Sequence, residues 1–139
     1  MKKRAVLGML VLAIVALAFI GCAQQRPATT KGLQRIHFDF DRYNVKSEYV
    51  PALKANAAWL KGHPSTKVVI EGHCDNRGTQ EYNIGLGDRR ARSGKSYLVN
   101  LGVSPSRVST ISYGEERPLC TQNNESCWWQ NRRDEFVAK

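Results

Sequence analysis

Between Arg35 and Asp41 the apolar residues Ile36, Phe38 and Phe40 alternate with His37, Asp39 and Asp41, the period of a half-buried strand. Further on, Ser47 stands where a helix cap is wanted. Val50, Leu53, Ala57 and Leu60 then recur at steps of three to four residues until Gly62 and Pro64 end the pattern. The stretch "KVVIEGH", with Val68 to Ile70 all β-branched, predicts a buried second strand. Thr79 is placed to cap a second helix running to about Asn100, with Gly102 as its stop signal. "RVSTISYG" predicts a third strand and "DEFVA" a short last one, polar enough to leave its length open. Strands alternating with helices in this way predict an α/β chain, a two-layer sandwich with parallel neighbours and helices packed on a face.

The first 21 residues fall outside this pattern. Lys2, Lys3 and Arg4 precede an unbroken run of 16 apolar and small residues from Ala5 to Ile20. That run is shorter than the roughly 20 residues needed to span a bilayer, and it reads as an export signal. It ends in "AFIGC", which resembles the lipobox of bacterial lipoproteins apart from Phe19, where Leu is commoner. On that reading Cys22 becomes the acylated N-terminus and holds the chain to outer-membrane lipid, since more than one buried acyl chain makes anchoring stable. Ala23, where an Asp would favour inner-membrane retention, points to the outer membrane, with the domain facing the periplasm. The plainer alternative is a secretory signal cut nearby that leaves Cys22 an ordinary thiol. The expected organisation is a signal peptide at 1–21, a lipidated Cys and flexible tether at 22–32, and a single domain at 33–139.

Charge and cysteine content narrow the class of partner. The net charge is +9, and without the three basic residues of the signal it is still +6. A basic exported domain suits an anionic polymer or surface, whereas export argues against nucleic acid, and Trp59, Trp128 and Trp129 are not spaced as a stacking platform. In an oxidising compartment disulfides persist, and Cys120 and Cys127 enclose the short polar loop "TQNNES", so that pair is expected to be bonded. Cys74 is then left over.

Cys74 stands in "GHCDNRGTQEYN", beside His73 and Asp75. A zinc site wants four ligands at set spacings, and His37 and His63 are isolated, so no metal and no cofactor is implied. A Cys/His nucleophile needs the two side chains together, but adjacent strand residues point to opposite faces. Hence no enzyme is expected, with Cys74 a small packing residue and His73 a hydrogen-bonded residue at a strand end. A thiol or metal protein using the two remains the alternative.

The second helix moves attention from the triplet to a pair. With Leu86 at zero and 100° per residue, Tyr82, Tyr97 and Leu101 fall within about 60° of it and define a buried stripe. Arg90 and Asn83 fall inside that stripe, while Asp88, Arg89, Arg92 and Lys95 fall outside it. A buried Arg needs an anionic partner, either from the protein or from a ligand. Asp75 lies just past the end of a strand, where open α/β sheets keep their ligands. Asp75 and Arg90 together suit a zwitterion, ammonium on one and carboxylate on the other, but an internal Arg90–Asp75 ion pair explains them equally well. Gly85, Gly87 and Gly94 in the same helix are explicable only as close-packing positions.

"FDFD", "IEGHCDNRGTQEYNIGLGDRRA", "ISYGEERP" and "NRR", in this order and spanning about residues 33–137, resemble the OmpA-like peptidoglycan-binding domain family, and most of all its lipoproteins. The resemblance implies a βαβαβ(α)β order with a mixed sheet and helices on one face. It also implies noncovalent binding of peptidoglycan through the meso-diaminopimelate of its stem peptide, tethering outer membrane to wall, and a part in envelope integrity and cell division with Tol-system proteins such as TolB. Residue by residue, Asp75 would take the ammonium and Arg90 the carboxylate. Asn83 would shape the pocket, Phe40 and Asp41 would supply neighbouring contacts, and Arg132 or Arg133 would come from the late "NRR". Asn76, where the family commonly has an acidic residue, is a departure. A module that binds only other envelope proteins is the rival reading.

Overall fold

The computed structural model describes residues 29–139; the expected signal peptide and Cys22 lie outside the described residues. Four strands form one sheet in the order β1 (Ile36–His37), β4 (Arg133–Ala138), β2 (Val68–His73), β3 (Val108–Gly114). The helices are α1 (Val50–Gly62), α2 (Gln80–Asn100) and the short α3 (Glu125–Asn131). β2 and β3 are parallel, as expected for strands joined through α2, but β4 enters between β1 and β2 and runs antiparallel to both. The sheet is therefore mixed.

Alternation decides the faces. Val68 and Ile70 of β2, Val108 of β3, Phe136 of β4, and Ile36 and Phe38 at the edge meet Leu53, Ala57 and Leu60 of α1 and Ala91 and Leu98 of α2 in one core. The opposite face carries Glu71, His73, Arg133 and Glu135, in which the Arg133 guanidinium bonds Glu135 at 2.7 Å. The polar look of the last strand is this outward row; on its inner side Phe136 is fully buried, and the strand reaches six residues.

Several local expectations need correction. Ser47 opens a 3₁₀ turn, Ser47–Tyr49, and does not cap α1, whose first turn instead holds Pro51. β1 ends at His37, shorter than expected; the chain turns at Asp41, which takes a left-handed φ of 55°, and Phe40 is exposed. Thr79 does cap α2, accepting from the Tyr82 amide. The tether is not free up to residue 32. The Thr30 amide donates to the Phe136 carbonyl at 2.9 Å, the Thr30 hydroxyl accepts from the Ala138 amide, and Leu33 is buried, so order begins by Thr29 along the edge of β4.

The buried stripe of α2 is Asn83, Leu86, Gly87, Arg90, Ala91, Gly94 and Leu98. Its centre lies about 60° round from the stripe expected at 100° per residue, and Tyr82 is exposed rather than inside it. The shift comes from close approach of helix to sheet. A Cβ on Gly87 would lie 2.3 Å from the Ser112 hydroxyl, and one on Gly94 would lie 2.8 Å from the Asp134 carboxylate, so α2 meets the sheet through its small residues. Gly85 is different, with only the end of the Arg89 side chain nearby, and close packing does not account for it.

Candidate functional site

Beyond the end of β2, the 38–43 loop and the first turns of α2 enclose a cavity of about 190 Å³. Five of the residues expected at a site line it: Phe40, Asp41, Asp75, Asn83 and Arg90. Arg77, Tyr82, Leu86 and Cys74 complete most of the wall.

Arg90 is fully buried in this wall, its guanidinium 5.2 Å from the centre of the Phe38 ring and hydrogen-bonded only to backbone. Nε donates to the Arg42 carbonyl at 2.8 Å, Nη1 to the His73 carbonyl at 2.9 Å and Nη2 to the Asp39 carbonyl at 3.1 Å. Those carbonyls belong to the two segments that form the cavity walls, so Arg90 ties loop, strand end and helix together. A guanidinium carries five N–H groups, and these bonds leave one on each Nη for another acceptor. Burial lowers the Arg90 pKa, opposed by Cys74, Asp134 and Asp75, yet the group stays a cation. The internal Arg90–Asp75 ion pair does not form.

Asp75 pairs with other cations. Its Oδ1 accepts from the Arg77 amide at 3.0 Å and from Arg77 Nε at 3.3 Å, and its Oδ2 accepts from Arg77 Nη2 at 2.8 Å and Arg132 Nη1 at 3.4 Å. Burial opposes ionisation of this carboxyl, but the bonds from Arg77 and Arg132 outweigh it and hold its pKa below the usual carboxylate value. Arg77 is itself clamped, its guanidinium 3.8 Å from the centre of the Phe40 ring and 4.1 Å from that of Trp128. Asn83, buried, donates to the carbonyls of Asp75 and Arg77 and so fixes the loop between them.

Arg132 and Arg133 separate. Arg132 sits behind Asp75, donating also to the Phe38 carbonyl at 2.8 Å and pairing with Glu125 at 2.5 Å. Arg133 does not join the cavity: it points to the opposite face of the sheet, bonding Glu135 and the carbonyls of Asn131 and Arg117. Arg132 is the last residue before β4 and Arg133 its first, and their side chains leave the chain on opposite faces.

The reactive reading of the triplet finds no support in this geometry. The Cys74 thiol is buried, donates to the Asn83 carbonyl at 3.2 Å, and burial pushes its pKa up to about 11. His73 points to the other face and stacks on Tyr113 at 5.6 Å. Its ring nitrogens have no hydrogen-bond partner, contrary to expectation, although a Glu71 carboxylate oxygen stands 3.5 Å from Nε2. Among the described residues no group of three or more His, Cys, Asp or Glu could hold a metal ion. Cys120 and Cys127 form a disulfide, as expected.

Residues 37–132 match the model of the OmpA family. The chain belongs to the OmpA family. A peptidoglycan-associated lipoprotein of Pasteurella multocida is 52% identical over 98 residues, covering 70% of this chain and 65% of that protein. One of Rhizobium meliloti is 39% identical over 142 residues, covering 86% of this chain and 81% of that protein. The chain thus spans just under two thirds of the length of the Pasteurella relative. The crystal structure of the peptidoglycan-associated lipoprotein from Burkholderia pseudomallei superposes with a TM-score of 0.74 at 39% identity, covering 76% of this chain and 90% of that one. The C-terminal domain of Helicobacter pylori MotB shares the fold, with a TM-score of 0.69 at 19% identity, covering 78% and 85%. These relatives are not named for a catalysed reaction.

Within this cavity the residue missed from sequence is Arg77. A signal for it exists, because an Asp commonly accepts from the amide two residues on, and Arg77 stands at that spacing from Asp75. No local signal exists for Trp128, which reaches Arg77 only because α3 folds back against the loop.

Proposed function

We propose that the domain binds peptidoglycan noncovalently by the diaminopimelate side chain of its stem peptide, with Arg90 holding the terminal carboxylate and Asp75 the neighbouring ammonium. The observation that carries this reading is Arg90. It is a buried cation in a cavity wall, fixed by three carbonyls, with an N–H free on each Nη and no carboxylate paired to it among the described residues. Asp75 has its lone-pair positions filled by Arg77 and Arg132, so the incoming ammonium takes the place of the partly exposed Arg77 side chain.

The surrounding role follows the same reading. Cys22 carries the acyl anchor at the outer membrane. With order beginning by Thr29, only the six residues Ala23 to Ala28 remain between anchor and domain, at most about 21 Å of chain. Among the described residues no helix is long and apolar enough to cross a membrane. The lipoproteins that this chain resembles carry peptidoglycan association in their name, which supports an outer-membrane-to-wall tether acting in envelope integrity and cell division. The exposed side chains of Phe40 and Tyr82 at the cavity also favour a second reading, that a protein of the Tol system such as TolB docks over the same opening.

Sedimentation with purified peptidoglycan tests the first reading. Wild-type protein is expected to co-sediment with a diaminopimelate-type wall and not with a lysine-type wall, which lacks the terminal carboxylate. Arg90→Lys and Asp75→Asn should each lose most of that binding while melting as folded proteins. Equal binding to both walls, or full binding by both variants, overturns the assignment.

A further inference from the structure

Tyr82 lines the cavity, and beside it Arg89 lines a second, open groove of about 420 Å³ that runs along the outer surface of α2. Its floor is Arg89, Ser93, Tyr97 and Asn100, spaced at four, four and three residues and hence one stripe of the helix. That stripe extends about 16 Å at 1.5 Å per residue. Tyr43 and Val45 form the facing wall.

Two features give the groove a chemistry. Arg92 is paired with Asp88 at 2.8 Å, but Arg89 forms no ion pair among the described residues and stands exposed. Its guanidinium lies 5.9 Å from the centre of the Tyr82 ring and 5.6 Å from that of Tyr43, which places a free cation where cavity and groove meet. Beyond it the half-exposed Tyr43 ring offers an apolar face beside the Asn100 amide and the Ser93 hydroxyl, which donates to the Arg89 carbonyl and can still accept. An aromatic face flanked by hydroxyl and amide groups suits a sugar ring, and a free Arg at its entrance suits a carboxylate.

We infer that the Tyr43–Arg89 groove is a second subsite, taking the part of the peptidoglycan unit that continues from the diaminopimelyl group. Arg89 holds the free carboxylate of the adjoining glutamyl residue, and Tyr43 packs against the amino sugar beyond it. This inference rests on the diaminopimelate reading of the first cavity. Charge complementarity and the position of Arg89, 5.9 Å from the ring of Tyr82 in the first cavity wall, support it.

Calorimetric titration of the protein with three ligands tests it: free meso-diaminopimelate, the disaccharide tripeptide containing it, and the same tripeptide with its glutamyl carboxylate amidated. Wild-type protein is expected to bind the acidic disaccharide tripeptide at least about tenfold more tightly than free diaminopimelate. Arg89→Gln should weaken the acidic tripeptide roughly fivefold, comparable to an exposed charge-assisted contact, and leave the amidated tripeptide and free diaminopimelate unchanged. Tyr43→Ala should weaken both tripeptides and spare free diaminopimelate. Equal losses on free diaminopimelate and tripeptide, or no loss on either, overturn the subsite while leaving the first cavity standing. Wild-type protein that binds neither free diaminopimelate nor tripeptide overturns the first cavity, and the subsite with it.

Discussion

A Cβ added to Gly72 would stand 1.8 Å from the carbonyl oxygen of Gly87, so β2 and α2 cross with backbone against backbone. That approach brings Arg90, one turn further along α2, within reach of the His73 carbonyl at the end of β2.

Gly72→Ala should therefore cost about 3 kcal/mol or more in urea unfolding, because the clash is with backbone and a side chain cannot swing clear. Gly85→Ala is the contrasting variant. Nothing but the flexible end of Arg89 lies near its added methyl, and it should raise stability by up to about 1 kcal/mol through helix propensity.

Asp75→Asn should lose about 2 kcal/mol of stability at neutral pH, since Arg77 and Arg132 would lose the buried carboxylate between them and keep only the exposed Glu125 as counter-charge. The folded Asp75 carboxyl titrates below its ordinary value of 3.8. Its contribution is thus complete above that value and disappears as pH falls through the lowered folded one. The gap between wild type and variant should close in acid unfolding curves below about pH 3.8. A gap constant with pH would mean that the ion pairs do not stabilise the loop.

Asp134 should behave in the opposite sense. It is fully buried on the helical face, neither oxygen has a hydrogen-bond partner, and burial pushes its carboxyl well above 3.8 despite Arg90 nearby. The unfolded chain ionises first, so this group costs stability as pH rises from its ordinary value toward the raised folded one. Asp134→Val is expected to gain about 1–3 kcal/mol at neutral pH. The gain should shrink in acid, where the wild-type carboxyl is neutral in both states.

Reducing the Cys120–Cys127 bond should lower stability by about 2 kcal/mol, from the loop-closure entropy of a short loop. Unfolding with and without reductant measures it. Because Cys74 is buried with its pKa raised, Cys74→Ser in the same assay should leave the reductant-sensitive part unchanged.

The sequence alone determined those features that local periodicity and capping express. These are β2 with its β-branched run, α2 from Thr79 to Asn100, the presence of Arg90 on a buried stripe, Asp75 at a strand end, and the separation of Cys74 from His73. It also carried the family, through motifs in order. Tertiary structure alone decided where the stripe of α2 is centred, because glycines that permit close approach contribute no bulk to a hydrophobic wheel. It decided that β4 inserts antiparallel between β1 and β2, a pairing between the two ends of the chain that no local pattern encodes. It also decided the partners of the two charged residues. Arg90 finds three carbonyls and Asp75 finds Arg77 and Arg132, because electrostatic partners are chosen by distance in the folded chain, which spacing along the sequence does not report.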